Sequence, residues 1–177
     1  MINIVQKDNP VLRGKAEIVP VKEINTQKIQ KIITDMKEAL ASQDDGVAIA
    51  APQIDIPLQI FVVSKKVPLL LKNKELNKEN LNGLKDTVYI NPQITKLSKT
   101  RQTIDEGCLS VRYLYGQVTR SEKATVTAYD ETGKKFTRGG SGLLAQIFQH
   151  EIDHLNGVLF TDKAENLQEI LPPKDNA

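Results

Sequence analysis

The spacing of apolar residues predicts two helices in this chain. Residues 26–42 repeat an apolar side chain every three or four positions, the period of a helix with one buried face, and Asn25 or Thr26 is suited to cap its start. A second segment, residues 141–154, is mostly apolar in its first half and predicts a buried helix. The stripe of the first helix consists of Ile29, Ile32, Ile33, Met36 and Leu40.

Shorter apolar patterns predict strands between the two helices. Residues 59–64 and 87–91 are brief runs with apolar centres, and residues 123–129 alternate small apolar side chains with threonine. The sequence Asp-Glu-Thr-Gly at 130–133 predicts a hairpin turn into a further strand at 134–138. Several strands followed by one helix and a brief tail favour an α+β fold, with antiparallel sheets packed around that helix.

Length and composition limit the organisation of the chain. The 177 residues predict a single domain spanning 1–177, within which residues 72–85, rich in Lys, Asn and Glu, predict a mobile insertion. The longest wholly apolar run is 68–71, far below the roughly 20 residues that cross a bilayer, so no membrane role is expected. The net charge of +2 comes from dispersed lysines, which gives no basic patch for nucleic acid.

The cysteine content and the N-terminal residues predict the cellular compartment of the protein. A single cysteine excludes an internal disulfide, which fits a reducing compartment, and a lone thiol is suited to a metal or catalytic role. The first eleven residues are too polar for a signal peptide and lack the arginines of a transit peptide. We therefore expect a cytoplasmic location.

The chain contains only two histidines, and they stand four residues apart in the second predicted helix. His150 and His154 share one helix face, so both imidazoles can reach one metal ion, and Glu151 can then act on a metal-bound water without being a ligand. An exposed amphipathic helix with two surface histidines could have the same sequence pattern. The apolar residues before the motif argue against that alternative, because a buried histidine or glutamate needs a polar partner.

A catalytic site of this kind uses three protein ligands. The position six residues after His154 is Phe160, and only Glu165 and Glu169 lie further downstream, in a tail too short for another domain. The third ligand should therefore come from upstream, where Cys108 is the one soft donor. A thiolate with two imidazoles suits zinc or ferrous iron.

Three segments together resemble the three signatures of the bacterial peptide deformylases. They are Gly-Val-Ala-Ile-Ala-Ala-Pro-Gln at 46–53, Glu-Gly-Cys-Leu-Ser at 106–110 and Gln-His-Glu-Ile-Asp-His at 149–154, in the family's order. The resemblance extends over the connecting sequence, from 9–13 to 157–160. It implies a monomeric metallohydrolase that removes the formyl group from the N-terminal methionine of new polypeptides and releases formate.

The resemblance also assigns roles to residues. It implies one divalent ion, ferrous iron, on Cys108, His150 and His154, while zinc, nickel and cobalt remain open. Glu151 would move the proton, and the Gln53 amide and the Leu109 N–H would stabilise charge on the formyl oxygen.

A further set of residues is expected to bind the substrate. The backbone of the first signature would accept an extended peptide, and apolar side chains would line a methionine pocket, although each of these could equally belong to the core. Glu106, beside the cysteine, could pair with Arg120 or be a solvent-exposed carboxylate. The expected substrate-binding residues are Gly46, Val47, Ala48, Glu106, Leu143 and Ile147.

Three departures from the family pattern leave strictness for methionine open. Ala48 replaces a glycine, Arg112 stands where proline is usual, and Gln146 stands where arginine or an aliphatic residue is common. Two rival functions are an HExxH endopeptidase, which the missing downstream ligand disfavours, and a non-catalytic metal-binding module, which the presence of Glu151 and Gln53 disfavours. Contact between the tail, residues 167–177, and the ribosome also stays open.

Overall fold

The structure is a computed structural model that describes residues 2–171. It confirms the α+β fold, with four helices and eight strands among these residues. In chain order the elements are α1 (Gln27–Ala41), β1 (Ala48–Ala50), β2 (Ile60–Val63), α2 (Val67–Leu70), α3 (Lys78–Leu81), β3 (Thr87–Leu97), β4 (Arg101–Cys108), β5 (Val111–Ser121), β6 (Lys123–Tyr129), β7 (Lys135–Ser141), α4 (Leu143–Leu155) and β8 (Glu165–Glu169).

The strands form two antiparallel sheets around α4. The larger sheet has the order β1-β2-β3-β6-β7, and the smaller has the order β4-β5-β8. Helix α4 contacts strands of both sheets, as expected for the helix that carries His150 and His154. Among residues 2–171 no helix combines the length and apolar character that crossing a bilayer requires.

The larger sheet is buried on both faces where β1, β2 and β3 meet. Phe61 and Val63 of β2 pack toward α4, whereas Ile60 and Val62 pack toward α1. A strand covered on both sides needs apolar residues at every position, because neither face meets water. This explains the continuous apolar run that predicted β2.

Helix α1 begins and ends close to its predicted bounds. Its cap is Thr26, whose Oγ1 accepts a hydrogen bond from the Ile29 N–H at 3.5 Å. The whole predicted apolar stripe is buried against the larger sheet. The spacing of the apolar residues was therefore enough to predict which face of α1 is buried.

Strand β3 extends beyond the predicted segment 87–91. Pairing with β6 becomes irregular after Ile90, where Asn91 adopts a φ of 50° and Pro92 follows. The Asn91 side chain bonds both backbone groups of Val19, at 2.9 and 2.7 Å, which stabilises this irregularity. The predicted strand ended at residue 91, but Asn91 and Pro92 mark a bulge after which pairing resumes.

The β4–β5 hairpin was not predicted. It pairs residues 101–108 with residues 111–121, and its strands carry charged and hydroxyl side chains instead of an apolar alternation. The predicted insertion at 72–85 contains the short helix α3, which Asn77 caps by accepting from the Asn80 N–H at 2.9 Å. Its mobility stays a prediction, and residues 1 and 172–177 of the predicted domain lie outside the described range.

Candidate active site

Helix α4 presents two faces with different surroundings. Its apolar side chains, among them Ala145 and Phe148, are fully buried against the larger sheet. His150 and His154 lie toward the end of β4, with their ring centroids 5.0 Å apart. The helix ends at Leu155, and Gly157, two residues later, has a φ of 74° and donates its N–H to the His154 carbonyl, as glycines that follow a helix commonly do.

Cys108 ends β4 beside these imidazoles. Its Sγ lies 3.2 Å from His154 Nε2, and the Ser110 N–H points to the sulfur at 3.4 Å. The sulfur and one nitrogen of each of His150 and His154 all lie within 4.8 Å of one another. The three predicted ligands therefore converge on one point.

A buried ion pair supports the first histidine from behind. Glu106 is 4 % exposed, accepts two hydrogen bonds from the Arg120 guanidinium at 2.8 and 2.9 Å, and lies 3.0 Å from His150 Nδ1. Arg120 also donates to Asp153 of α4 at 2.6 Å. These bonds fix the ring so that Nε2 of His150 remains free to face the sulfur.

The charges of the site oppose the effect of burial on its titratable groups. Burial alone would raise the pKa of the Cys108 thiol, but the adjacent imidazoles of His154 and His150 lower it to about 5. Burial would likewise raise the pKa of Glu106, yet its bonds to Arg120 and His150 lower it to about 2. Burial would lower the pKa of His150, and its contacts with Cys108 and Glu106 raise it instead.

The neighbours of Glu151 offset the effect of burial on its pKa only in part, in contrast to those of Glu106. Burial raises its pKa, the negative charges of Cys108 and Glu106 raise it further, and the two histidines lower it only in part. Its Oε2 is one of two buried side-chain oxygen or nitrogen atoms among residues 2–171 without a hydrogen-bond partner, the other being Nδ1 of His154. A buried carboxylate with a raised pKa is suited to accept and return a proton near neutral pH.

The residues present fit a divalent metal ion. A thiolate and two imidazoles form a donor set for zinc or ferrous iron, and the hydrogen bond from His150 to Glu106 is the support that histidine ligands usually have. The unpartnered oxygen of Glu151 lies outside the set of three, where it can bond a water molecule. The fit to a divalent ion therefore rests on the three donor atoms and on the hydrogen bond between His150 and Glu106.

Gln53 is a buried amide held beside the sulfur. Its Oε1 accepts from the Ala50 N–H at 2.8 Å, while its Nε2 lies 3.1 Å from Ser110 Oγ and 3.5 Å from Cys108 Sγ. With 2 % exposure it is not a surface amide. Leu109 lies in the turn after β4, and its side chain packs in the core against α1 and the larger sheet.

A cleft of about 320 Å³ is lined by Cys108, His150 and Glu151. Val47 and Leu143 line it while half-buried, and Ile147 lines it at 3 % exposure, so each also belongs to the core. Ala48 lines it too, yet its side chain is 6 % exposed and packs in the cluster against α4. The added methyl therefore lies mostly in the core instead of in the path of a peptide.

Gly46 lines the cleft as predicted, but its lack of a side chain has another cause. A Cβ at this position would lie 2.9 Å from Leu40 Cδ1 and 3.1 Å from Gln43 Cβ. The close approach of Leu40 and Gln43 therefore leaves little room for a side chain whether or not a peptide binds. Glu106 also borders the cleft, although its carboxylate is already bonded to Arg120 and His150.

Several residues that support or line the candidate site were not predicted from the sequence. Ser110 is fully buried and bonds both Gln53 and the cysteine sulfur, and Asp153 completes the Arg120 network. The location of Ser110 and Asp153 inside the signature segments was the available signal. Tyr113 and Tyr115 of β5 also line the cleft, and they had no signal because the hairpin itself was not predicted.

An HExxH helix held between two antiparallel sheets, with a cysteine of the neighbouring hairpin beside its two histidines, is typical of a metal-dependent hydrolase. Comparison with known proteins narrows this class. The model of the polypeptide deformylase family matches residues 1–169. The chain is 37 % identical to peptide deformylase 2 of Clostridium acetobutylicum, covering 88 % of this chain and 89 % of the relative. It is 40 % identical to the peptide deformylase of Syntrophomonas wolfei, covering 91 % of each.

Solved structures agree with the sequence relatives. The crystal structure of a Synechococcus elongatus peptide deformylase in complex with actinonin matches with a TM-score of 0.77 at 33 % identity, covering 93 % of this chain and 79 % of that one. The chain belongs to the polypeptide deformylase family and is an enzyme of that family.

Proposed function

We propose that this enzyme hydrolyses the formyl group from the N-terminal formyl-methionine of newly synthesised polypeptides and releases formate. The observation that carries the proposal is the convergence of Cys108, His150 and His154 within 4.8 Å, with the unpartnered carboxylate of Glu151 beside them. Family membership supports the same reaction.

Each polar group of the site has one task in this reaction. A divalent ion on the three ligands would supply Lewis acidity and lower the pKa of a water molecule. Glu151 accepts the proton of the attacking water and returns it to the departing amine, which its raised pKa permits. Glu106 holds His150 in the tautomer whose Nε2 faces the site.

Gln53 and Leu109 are proposed to stabilise the charge that develops on the formyl oxygen. The Gln53 amide is fixed at its oxygen end by the Ala50 N–H, so its nitrogen is oriented before substrate arrives. Donors that are fixed in advance stabilise a transition state without reorganisation. Leu109 follows directly after Cys108 and is one of the residues that line the cleft, so its N–H is the second proposed donor.

The peptide is proposed to lie along β1. This strand is an edge of the larger sheet, and the cleft is bordered by Ala48 at its start and by Gly46 and Val47 just before it. An extended peptide can add to such an edge through backbone hydrogen bonds, which accept any sequence. Val47, Leu143 and Ile147 would then surround the methionine side chain.

The direct test compares formylated and unformylated peptides. Anaerobically purified enzyme should release formate from formyl-Met-Ala-Ser and should leave Met-Ala-Ser and its internal bonds intact. Cleavage of the unformylated peptide would instead support the endopeptidase alternative, and release of neither product would contradict the proposal.

Ferrous iron is the proposed native ion, on the strength of the family resemblance and the thiolate ligand. Iron and its thiolate are both open to oxidation, so the iron form should lose activity in air and keep it under nitrogen. The metal would be stripped and replaced by iron, nickel or zinc, and formate release followed over hours. Equal, air-stable activity of the freshly prepared iron and zinc forms would contradict the iron assignment. The proposed deformylation reaction would be unaffected by that result.

Location and assembly stay predictions of the sequence. The cytoplasmic location fits an enzyme that acts on nascent chains and depends on a reduced thiolate. The monomeric state and contact of residues 167–177 with the ribosome are not tested by the fold, and residues 172–177 lie outside the described range.

A further inference from the structure

The outer end of the cleft carries an ion pair that the proposed reaction does not use. Arg112 Nη1 lies 2.7 Å from Asp45 Oδ2, and the guanidinium also donates to the side chain of Gln43. Asp45 belongs to the loop between α1 and β1, whereas Arg112 belongs to the β4–β5 hairpin. Because both residues border the cleft, the pair joins its two walls.

The backbone of β5 brings Arg112 to this position. Gly107 pairs with Tyr115, yet the next residue, Cys108, pairs with Val111, so residues 112–114 bulge out of the ladder. Tyr113 in the bulge has a φ of 66°, a conformation that residues other than glycine seldom adopt. Bulges redirect side chains, and here the bulge directs a cation to the rim of the cleft.

The rim is where a bound peptide would continue beyond its methionine. This step rests on the proposed function, with the formyl end between Gln53 and Cys108 and the chain antiparallel to β1. Asp45 precedes Ala48 by three residues, which is about 10 Å along an extended chain. The second and third residues of the peptide would therefore pass Asp45 and Arg112.

We propose that Asp45 and Arg112 together determine how the enzyme responds to charge on the residues after the formylated methionine. While the two are paired, their charges cancel at the rim, and acidic, neutral and basic peptides are accepted alike. Their side chains remain 58 % and 28 % exposed, so either one can meet a peptide when its partner is removed. A lone Asp45 attracts a basic residue, and a lone Arg112 attracts an acidic one.

Other charged residues near the rim cannot cause a difference between a variant of Arg112 and a variant of Asp45. Asp105 also borders the cleft, and Asp44 stands next to Asp45 in the same loop. Both carboxylates are retained when Arg112 or Asp45 is changed. A difference between those two variants therefore reports the pair itself.

The test measures kcat/KM on three amidated peptides: formyl-Met-Ala-Ala, formyl-Met-Ala-Asp and formyl-Met-Ala-Lys. Wild-type enzyme should treat the three alike within about twofold. Arg112→Ala should favour Lys over Asp by about three- to fivefold, the scale of an exposed ion pair, and Asp45→Ala should show the opposite preference. The double variant should again be indifferent, and the preferences should lie in KM and vanish at high salt.

Controls separate this effect from folding and from the reaction itself. The Lys-to-Asp ratio is internal to each protein, so a uniform loss of active enzyme cancels. Asp44→Ala removes a neighbouring carboxylate that does not border the cleft and should leave the wild-type ratio unchanged. Absence of formate release from formyl-Met-Ala amide by the wild type would count against the proposed function, whereas equal or like-signed ratios in Arg112→Ala and Asp45→Ala would overturn the role of the pair.

Discussion

Two glutamates beside the metal ligands have opposite electrostatic surroundings. Glu106 is bonded to Arg120 and His150 and has a lowered pKa, whereas Glu151 has an unpartnered oxygen and a raised pKa. Sequence alone does not distinguish such carboxylates, since both lie close to a ligand in the chain. The residue that can exchange a proton near neutral pH is the one without a permanent cation.

Glu151→Gln should therefore abolish most turnover while leaving the metal in place. An amide has the same shape but cannot carry the proton, so formate release should fall by about 10²–10⁴. Metal content measured after purification should match the wild type. The matched control is Glu165→Gln, on the exposed strand β8, which should keep full activity. Turnover of Glu151→Gln within a few-fold of the wild type would remove Glu151 from the mechanism.

Tyr89 provides a pH prediction away from the metal ligands. Burial raises its pKa from 10.0 to about 12, against a smaller lowering effect of Arg138. The folded state therefore disfavours tyrosinate, and its contribution to stability is complete below pH 10 and is lost as pH rises toward 12. Tyr89→Phe should flatten the decline of the free energy of unfolding in this range, measured by urea titration at several pH values. An identical alkaline decline in both proteins would contradict the assignment.

Helix α4 is the element on which the site depends most. Its apolar face fixes it against the larger sheet, and its two histidines then have no freedom to move apart. The end of the helix is fixed as well, because Gly157 approaches the carbonyl oxygen of Arg13 so closely that a Cβ would lie 2.5 Å away. A shift at this end would be transmitted to His154, three residues earlier.

Gly157→Ala should destabilise the fold by about 1–3 kcal/mol and weaken metal binding. The substitution adds strain from a φ of 74° and a contact with Arg13 that the backbone must relieve. Gly83→Ala is the matched control, because Gly83 has a φ of 75° and an added Cβ there would meet no atom within 4 Å. Urea unfolding and metal titration of both variants measure the difference, and equal effects would show that the contact with Arg13 is unimportant.

Sequence patterns predicted the longer elements whose buried residues are apolar, missed the short strand β1, and failed where the buried residues are polar. Helix α1 and strand β2 follow from their apolar residues alone. The β4–β5 hairpin buries Glu106 and Arg120 as an ion pair, so its sequence has the appearance of an exposed loop. The convergence of Cys108, His150 and His154 could be predicted because few residue types bind such a metal. The contacts of Ser110 and Asp153 could not, because they depend on distances that only the fold supplies.

At the scale of the whole molecule, the three proposed metal ligands come from two separate layers. Cys108 belongs to the hairpin of the smaller sheet, and His150 and His154 belong to the helix packed on the larger sheet. A metal ion on these ligands would link the layers much as a covalent crosslink does. Ligand binding to the folded state alone raises stability, and the gain grows with the logarithm of ligand concentration over its dissociation constant.

Removal of the metal should therefore lower the melting temperature of the entire protein. For a chain of this length each kcal/mol corresponds to roughly 2–4 °C, so a loss of several degrees is expected on chelation and a recovery on reloading. Cys108→Ser, with a weaker donor, should recover less than the wild type. Calorimetry with and without chelator provides the measurement, and an unchanged melting temperature would show that the ion does not join the layers.

The unpaired edge of β1 has a consequence for self-association. An edge that accepts a peptide also accepts the same edge of another copy, which is a common route to aggregation. Here the strand is only three residues long. Two such edges in antiparallel contact would therefore gain few hydrogen bonds. The edge is long enough to hold a passing chain end and too short to hold its own copy.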